Sequence, residues 1–342
     1  MVQPTAAPPP MDGAAAPRRL LMTDGLTLVL TQTRLEAPDV LSFELRDARR
    51  RQLPAYGPGA HLDLDLPGGL RRSYSLLDDV GDAECSHYTI AVKREPSSRG
   101  ASAWLHDVAR LGAILRASPP RNDFELIDSP ESALFVAGGI GITPMLPMLA
   151  ARTRQGRPWV LHYTFQTFES AAFVERLQAL EASSGGAGEL HLHASRERGA
   201  RMDLRRLLQA LAPGAHAYCC GPTGLIDAFV QAASARDPET VHVERFQSAK
   251  AAADGGFEVE LARSGRCIAV PTGSSMLDVL LDAGIAMNFS CTQGVCGTCR
   301  VGVLAGRPDH RDSCLTQAER DANDVVIACC SGALSPRLVL DL

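Results

Sequence analysis

The sequence predicts a multidomain chain: an antiparallel β-barrel, then an α/β unit on a parallel sheet, then a small β-rich unit. Three observations carry that prediction. Short alternating apolar and polar runs with Gly/Pro punctuation fill residues 26 to about 126. Continuous apolar runs alternate with helical periodicity from about residue 130 to Phe246. A loop with three spaced cysteines then sits within the last 86 residues, 257–342. A chain of 342 residues is long enough for two or three cores.

Composition narrows the function classes. The net charge of −5 argues against nucleic acid and anionic membranes as partners. Ten cysteines without a secretory signal read as thiols and metal ligands rather than disulfides. No apolar run approaches the roughly 18 residues of a membrane span. The Pro/Ala-rich start has no apolar core segment, so residues 1–25 are expected to form a disordered tail and the protein to be cytoplasmic.

In the first segment, Val40-Leu41-Ser42-Phe43-Glu44-Leu45, His61-Leu62-Asp63-Leu64-Asp65-Leu66 and Tyr88-Thr89-Ile90-Ala91-Val92 are strand candidates, separated by Gly57-Pro58-Gly59 and Pro67-Gly68-Gly69. Two polar stretches follow strands: Arg72-Ser73-Tyr74-Ser75, and Ser98-Arg99-Gly100-Ala101-Ser102 after Ala91-Val92-Lys93. Arginine pairs with phosphate in a fork, and tyrosine stacks on a ring or lines a chain. Ser102 is expected to open a helix over residues 103–111, whose first N–H groups could receive a phosphate. Each stretch alone suits an exposed arginine or an ordinary capped helix. Together in one barrel they favour a flavin.

In the second segment, Ala133-Leu134-Phe135-Val136-Ala137 reads as a buried parallel strand. It runs into Gly138-Gly139-Ile140-Gly141-Ile142-Thr143-Pro144, where Thr143 is expected as N-cap and Pro144 as first helical residue. Further strands are expected at 159–163, 189–193 and 215–219, with helices at 171–180 and 223–233. The strand at 215–219 ends on Cys220-Gly221-Pro222. Ligands of parallel sheets sit at the carboxyl ends of strands, where both glycine turns lie. A nucleotide site follows. Cys220 would equally serve as a packed thiol.

After Glu244-Arg245-Phe246 and a short linker, a hairpin is expected at 257–261 and 267–270, then a helix capped by Ser274 or Ser275. The loop Ser290-Cys291-Thr292-Gln293-Gly294-Val295-Cys296-Gly297-Thr298-Cys299 has the spacing of a plant-type [2Fe–2S] cluster, which needs a fourth thiolate. Gly294 and Gly297 let backbone N–H groups approach the sulfur atoms. Cys296 and Cys299 alone would suit structural zinc, but zinc usually takes a second spaced pair, whereas Cys329 and Cys330 are adjacent. Either of those two could be the fourth ligand.

In combination these motifs resemble the phthalate dioxygenase reductase family, which includes vanillate O-demethylase reductases. The likeness runs from about residue 26 to Leu342 and misses only the tail. It implies a barrel flavin domain over 26–127, a nucleotide domain over 128–248, a linker over 249–256 and a β-grasp-like plant-type ferredoxin domain over 257–342. It further implies FMN held by Arg72, Ser73, Tyr74, Ser75, Ala91, Lys93, Gly100 and Ser102, with Ser75 near flavin N5 and Phe246 covering the ring. NADH would lie against Gly138, Gly139, Gly141, Thr143, Pro144, Cys220, Gly221 and Pro222. The cluster would be held by Cys291, Cys296, Cys299 and Cys329, with Cys330 as a packed neighbour. Two departures concern the adenosine end: Gln166 stands where relatives usually carry arginine, and Ser195-Arg196-Glu197-Arg198 replaces a more acidic stretch, so NADPH is not excluded.

The implied activity is reduction by hydride transfer to FMN, then single-electron transfer through the cluster to a Rieske-type non-haem iron oxygenase that docks transiently on a monomer. Two rival readings are kept: the same electron chain serving a cytochrome P450 or another acceptor, and a redox-sensing iron–sulfur protein.

Overall fold

The computed structural model describes residues 25–81, 85–96, 100–197, 202–246 and 253–342. Residues 1–24 of the expected tail, Ser98, Arg99, Arg198 and residues 249–252 of the expected linker lie outside the described residues.

Six strands form the first sheet: β1 (Leu26–Ala37), β2 (Val40–Asp47), β3 (His61–Leu66), β4 (Leu70–Ser75), β5 (Tyr88–Lys93) and β6 (Ile114–Ala117). Their antiparallel order is β4-β3-β6-β1-β2-β5. Directly after β4, Leu76 bridges to Ile90 of β5, and Leu77 N–H donates to Thr89 O at 2.9 Å. The two edges therefore join and the sheet closes as a barrel, which removes its free edges. Leu28, Phe43, Leu45, Leu62, Leu64 and Tyr88 fill the interior. On β3 the alternation breaks its usual meaning: Asp63, on the polar face, is only 1% exposed.

Helix α1 (Ala101–Asp107) begins two residues before the expected start and stops four short of the expected end. Gly100, with φ +108°, is its N-cap. Ser102 thus lies inside the first turn, where its hydroxyl accepts from Glu95 N–H at 3.2 Å instead of capping. A left-handed backbone at glycine turns the chain earlier than a serine cap would.

The second sheet is wholly parallel: β7 (Ala133–Gly138), β8 (Trp159–Phe165), β9 (Gly188–Ala194), β10 (Ala217–Cys220) and β11 (Val241–Glu244), in the order β11-β10-β7-β8-β9. Helices α2 (Met145–Arg154) and α3 (Val174–Ser183) pack on one face, α4 (Leu204–Ala210) and α5 (Thr223–Ala232) on the other. The chain runs outward from β7 to β9, then returns to build β10 and β11 on the other side. This reversal opens a crevice at the carboxyl ends of β7 and β10.

Thr143 is not the N-cap. Gly139, at φ +53°, makes the turn, residues Gly139–Ile142 form a 3-10 turn, and Thr143 already has helical angles. Its hydroxyl donates to Ile140 O at 2.8 Å, and Pro144 precedes α2.

The third sheet holds β12 (Phe257–Leu261), β13 (Arg266–Val270), β14 (Arg300–Ala305), β16 (Val325–Ile327) and β18 (Arg337–Leu340), in the order β13-β12-β18-β14-β16. The central pair β12–β18 is parallel and the rest antiparallel. β15 (Pro308–Asp309) and β17 (Gly332–Ala333) form a separate two-stranded ladder. Helix α6 (Met276–Asp282) buries Met276, Leu277 and Leu280 against the sheet, and α7 (Gln317–Ala322) follows the cysteine loop. Of the two serines offered as cap, Ser275 serves: its Oγ accepts from Asp278 N–H at 3.1 Å.

Candidate active site

The cysteine loop lies between α6 and β14, and Cys329 follows β16. Backbone bonds from Ala328 N–H to Cys299 O (3.1 Å) and from Leu277 N–H to Ala328 O (3.0 Å) tie these segments together. Among the thiols, Cys291 contacts Cys296, while Cys329 contacts both Cys299 and its neighbour Cys330. The Cys299–Cys329 contact brings the distant cysteine to the loop, as the plant-type spacing of a [2Fe–2S] site would require. Cys330 Sγ lies 3.8 Å from both Ile327 O and Ser331 Oγ.

Backbone and hydroxyl donors surround these sulfurs. Gln293 N–H approaches Cys291 Sγ at 3.3 Å, Thr298 Oγ1 lies 3.2 Å from Cys296 Sγ, and Gly294 N–H faces Cys329. Donation from Cys291, and then from Thr298, holds the Cys296 thiol below its usual value. Gly294 at φ +74° and Gly297 at φ +70° make this wrapping possible. Cys291, Cys299 and Cys329 are buried; Cys296 is half-buried.

Around the barrel closure, β4, β5 and the start of α1 converge. Ser75 is 6% exposed and its hydroxyl has no hydrogen-bond partner among the described residues. An orphaned buried hydroxyl is the mark of a site completed by a ligand. Tyr74 is half-buried, and burial pushes its phenol above the usual value. Ser73 Oγ donates to Asp63 Oδ1 at 2.6 Å. Arg72 Nη1 donates to Arg71 O at 2.7 Å and to Thr292 Oγ1 at 2.9 Å, so it reaches the cysteine loop. Lys93 pairs with Asp39 at 3.5 Å. Ala91 joins the apolar cluster that spans barrel and parallel sheet, and Phe246 packs against the same cluster.

The two glycine turns meet in the crevice. A Cβ on Gly141 would lie 2.4 Å from Cys220 O, and one on Gly138 would lie 2.6 Å from Pro222 Cδ. Only glycine allows this approach, which brings together segments some 80 residues apart in the chain. Gly221 stacks on Gly138 from the other side, 3.0 Å from its backbone were it to carry a Cβ. Thr143 is buried. Cys220 is fully buried with its Sγ 4.0 Å from Glu244 Oε2, and burial followed by that carboxylate raises its thiol well above the usual value. Burial, then Asp123, pushes Glu244 up to about 8. At the adenosine end, Gln166 and Arg196 are exposed neighbours at the ends of β8 and β9, joined by Arg196 N–H to Gln166 O at 3.0 Å.

Several residues outside the expected set prove central to how these sites adjoin. Ser290 Oγ donates to Asp63 Oδ2 at 2.6 Å, and Arg121 Nη2 reaches both Asp63 Oδ2 (2.8 Å) and Ser290 Oγ (2.7 Å). Arg71 lies over the Phe289 ring, 5.4 Å from its centroid, and pairs with Asp65. The available signal was the charge pattern itself: Asp63 and Asp65 on β3 oppose Ser73 and Arg71 on β4. Two open clefts lie elsewhere, near Asp47 and Arg51, and contain none of these groups. No described helix is long and apolar enough to cross a membrane.

Comparison with known proteins agrees with this geometry. The family described as "2Fe-2S iron-sulfur cluster binding domain" matches residues 259–334, and "Oxidoreductase NAD-binding domain" matches residues 135–231. The chain is 47% identical to phenoxybenzoate dioxygenase subunit beta of Ectopseudomonas oleovorans, over 90% of this chain and 94% of the relative. It is 39% identical to a vanillate O-demethylase oxidoreductase of a Pseudomonas species, over 93% of this chain and all of the relative. Among solved structures, phthalate dioxygenase reductase superposes with a TM-score of 0.78 at 36% identity, covering 93% of this chain and 98% of that one. With the barrel, the parallel sheet and the ferredoxin sheet in that order, the chain is an oxidoreductase that belongs to the phthalate dioxygenase reductase family.

Proposed function

We propose that this protein is the reductase component of a two-component oxygenase, taking hydride from NADH onto FMN and passing single electrons through a [2Fe–2S] cluster to a Rieske-type terminal oxygenase. The observation that carries the reading is the contact between Arg72 on β4 and Thr292 beside Cys291, which sets the barrel's polar strand against the cysteine loop. When bound, the flavin would supply the exchange between hydride and single electrons, and the cluster a one-electron exit.

The chain's own groups bind, orient and exclude water. Arg72 holds the FMN phosphate, and Ser73, Tyr74, Lys93, Gly100 and Ser102 line its cradle. Ser75, whose hydroxyl is otherwise unpartnered among the described residues, supplies the hydrogen bond at flavin N5. Ala91 and Phe246 cover the ring with apolar surface. The Gly138–Gly141 and Cys220–Pro222 turns seat the dinucleotide, with Thr143 and Cys220 beside the nicotinamide. Cys291, Cys296, Cys299 and Cys329 bind iron, a ligand set supported by the contacts of Cys291 with Cys296 and of Cys299 with Cys329. The domain limits that go with this reading are 26–127, 128–248 and 257–342. The protein acts as a cytoplasmic monomer, and the oxygenase docks transiently at the Cys296 lip.

Anaerobic stopped-flow reduction tests this directly. NADH should bleach the flavin band first and the cluster band second, and should outpace NADPH. Protein that carries no flavin, or a cluster that stays oxidised under excess NADH, would overturn the reading.

A further inference from the structure

We infer that Asp63 is a positioning residue that holds the cysteine loop against the flavin strand through Ser290, and so sets the rate of the flavin-to-cluster step. This rests on the reading above, and deepens it.

Asp63 is 1% exposed and engages three side chains: Ser73 at 2.6 Å, Ser290 at 2.6 Å and Arg121 at 2.8 Å. Its two carboxylate oxygens face different parts of the protein. Oδ1 takes the hydroxyl of Ser73 on β4, and Oδ2 takes the hydroxyl of Ser290 beside Cys291. The backbone of Asp63 is fixed as well, with its N–H donating to Ser118 Oγ and its C=O accepting from Ser118 N–H, both at 2.9 Å. A carboxylate whose backbone is pinned to the end of the neighbouring strand can define a position for whatever it binds.

The arrangement brackets one cysteine. Ser290 on one side of Cys291 bonds to Asp63 and Arg121, while Thr292 on the other side accepts from Arg72. Thr292 is a non-glycine residue at φ +52°, a backbone conformation that needs surrounding contacts to hold it. Charge-assisted bonds to a buried carboxylate are among the stronger polar contacts available for this. With both cofactors bound, reduced flavin would supply two electrons singly; the cluster would hold one at a time and yield it to the external one-electron acceptor before the next arrives, while the proton that came with the hydride goes to solvent. No group on Asp63 or Ser290 exchanges an electron or proton; their part is distance and orientation, to which such steps are steep.

The test uses full-length, fully loaded protein carrying Asp63→Asn or Ser290→Ala, followed by anaerobic stopped-flow with NADH. The expected result is an unchanged flavin-reduction phase and a cluster-reduction phase slowed roughly ten- to hundredfold, with cluster content and EPR spectrum as in the parent. The Asp63→Asn/Ser290→Ala double variant should be no slower than the slower single. Asp63→Asn also disturbs Ser73 and can weaken the barrel, so Ser290→Ala decides if that variant loses flavin or fails to fold. An unchanged cluster phase in Ser290→Ala, or equal slowing of both phases, overturns the inference. If the parent itself shows no NADH-driven cluster reduction, it is the underlying functional reading that fails.

Discussion

The cysteine loop and the glycine crevice make a site in opposite ways. At residues 290–299 the chemistry lies in what side chains present: three thiols, met by that of Cys329, with hydroxyl and backbone donors around them. At Gly138, Gly141 and Gly221 it lies in what side chains leave out, since a Cβ at Gly141 would sit 2.4 Å from Cys220 O. A site of the first kind fails when a donor is removed. One of the second kind fails when an atom is added. The first is announced by residue type and spacing, the second only by the topology that brings two turns together.

The largest effect should come from deleting a donor. Cys296→Ser is expected to abolish the cluster signal and cytochrome c reduction while NADH still bleaches the flavin; normal cytochrome c reduction would remove Cys296 from the ligand set. Replacing Cys329 with alanine should do the same, whereas Cys330→Ala should keep its EPR signal. Next comes adding an atom. Gly141→Ala meets rigid backbone and should cost about 1–3 kcal/mol, read as a lower Tm together with a raised KM for NADH. Gly139→Ala meets nothing within 4 Å but inherits φ +53°, so roughly 1–2 kcal/mol of backbone strain is the expected cost. Equal, negligible losses in both would break the contrast drawn above.

Arg72→Ala should fall between the two kinds of site, because Arg72 serves the flavin strand and touches the loop. About tenfold weaker FMN binding is expected by equilibrium dialysis, in line with loss of a charge-assisted bond; full flavin occupancy at low FMN would mark Arg72 as a loop tether alone. The smallest effect concerns pH. Glu244 has a folded value of about 8 against an ordinary 4.5, so the folded state holds this proton more tightly. Its contribution to stability is therefore fully present below about 4.5 and is lost as pH rises through about 8. Melting curves across that window should show the decline, and Glu244→Gln should flatten it.

Much of the architecture was legible because periodicity reports burial. The all-apolar run at Ala133–Gly138 is the fully buried central strand β7, and the expected β10 and α5 lie within two residues of their observed limits. Local cap chemistry was less readable. Glycines at positive φ, Gly100 and Gly139, turned the chain before Ser102 and Thr143 could cap it. Least legible was the contact between Asp63 and Ser290, 227 residues apart, since a polar residue on a strand looks the same whether water or another domain covers it. Asp63 and Asp65 occupy the polar positions of an alternating strand, and that face carries the meeting of barrel and loop.

One further consequence follows from the uneven burial of the four thiols. Cys291, Cys299 and Cys329 are 3%, 3% and 6% exposed, and only Cys296 opens to solvent. Three of these sulfurs lie behind the fourth, so chemical access to the group from solvent runs through Cys296.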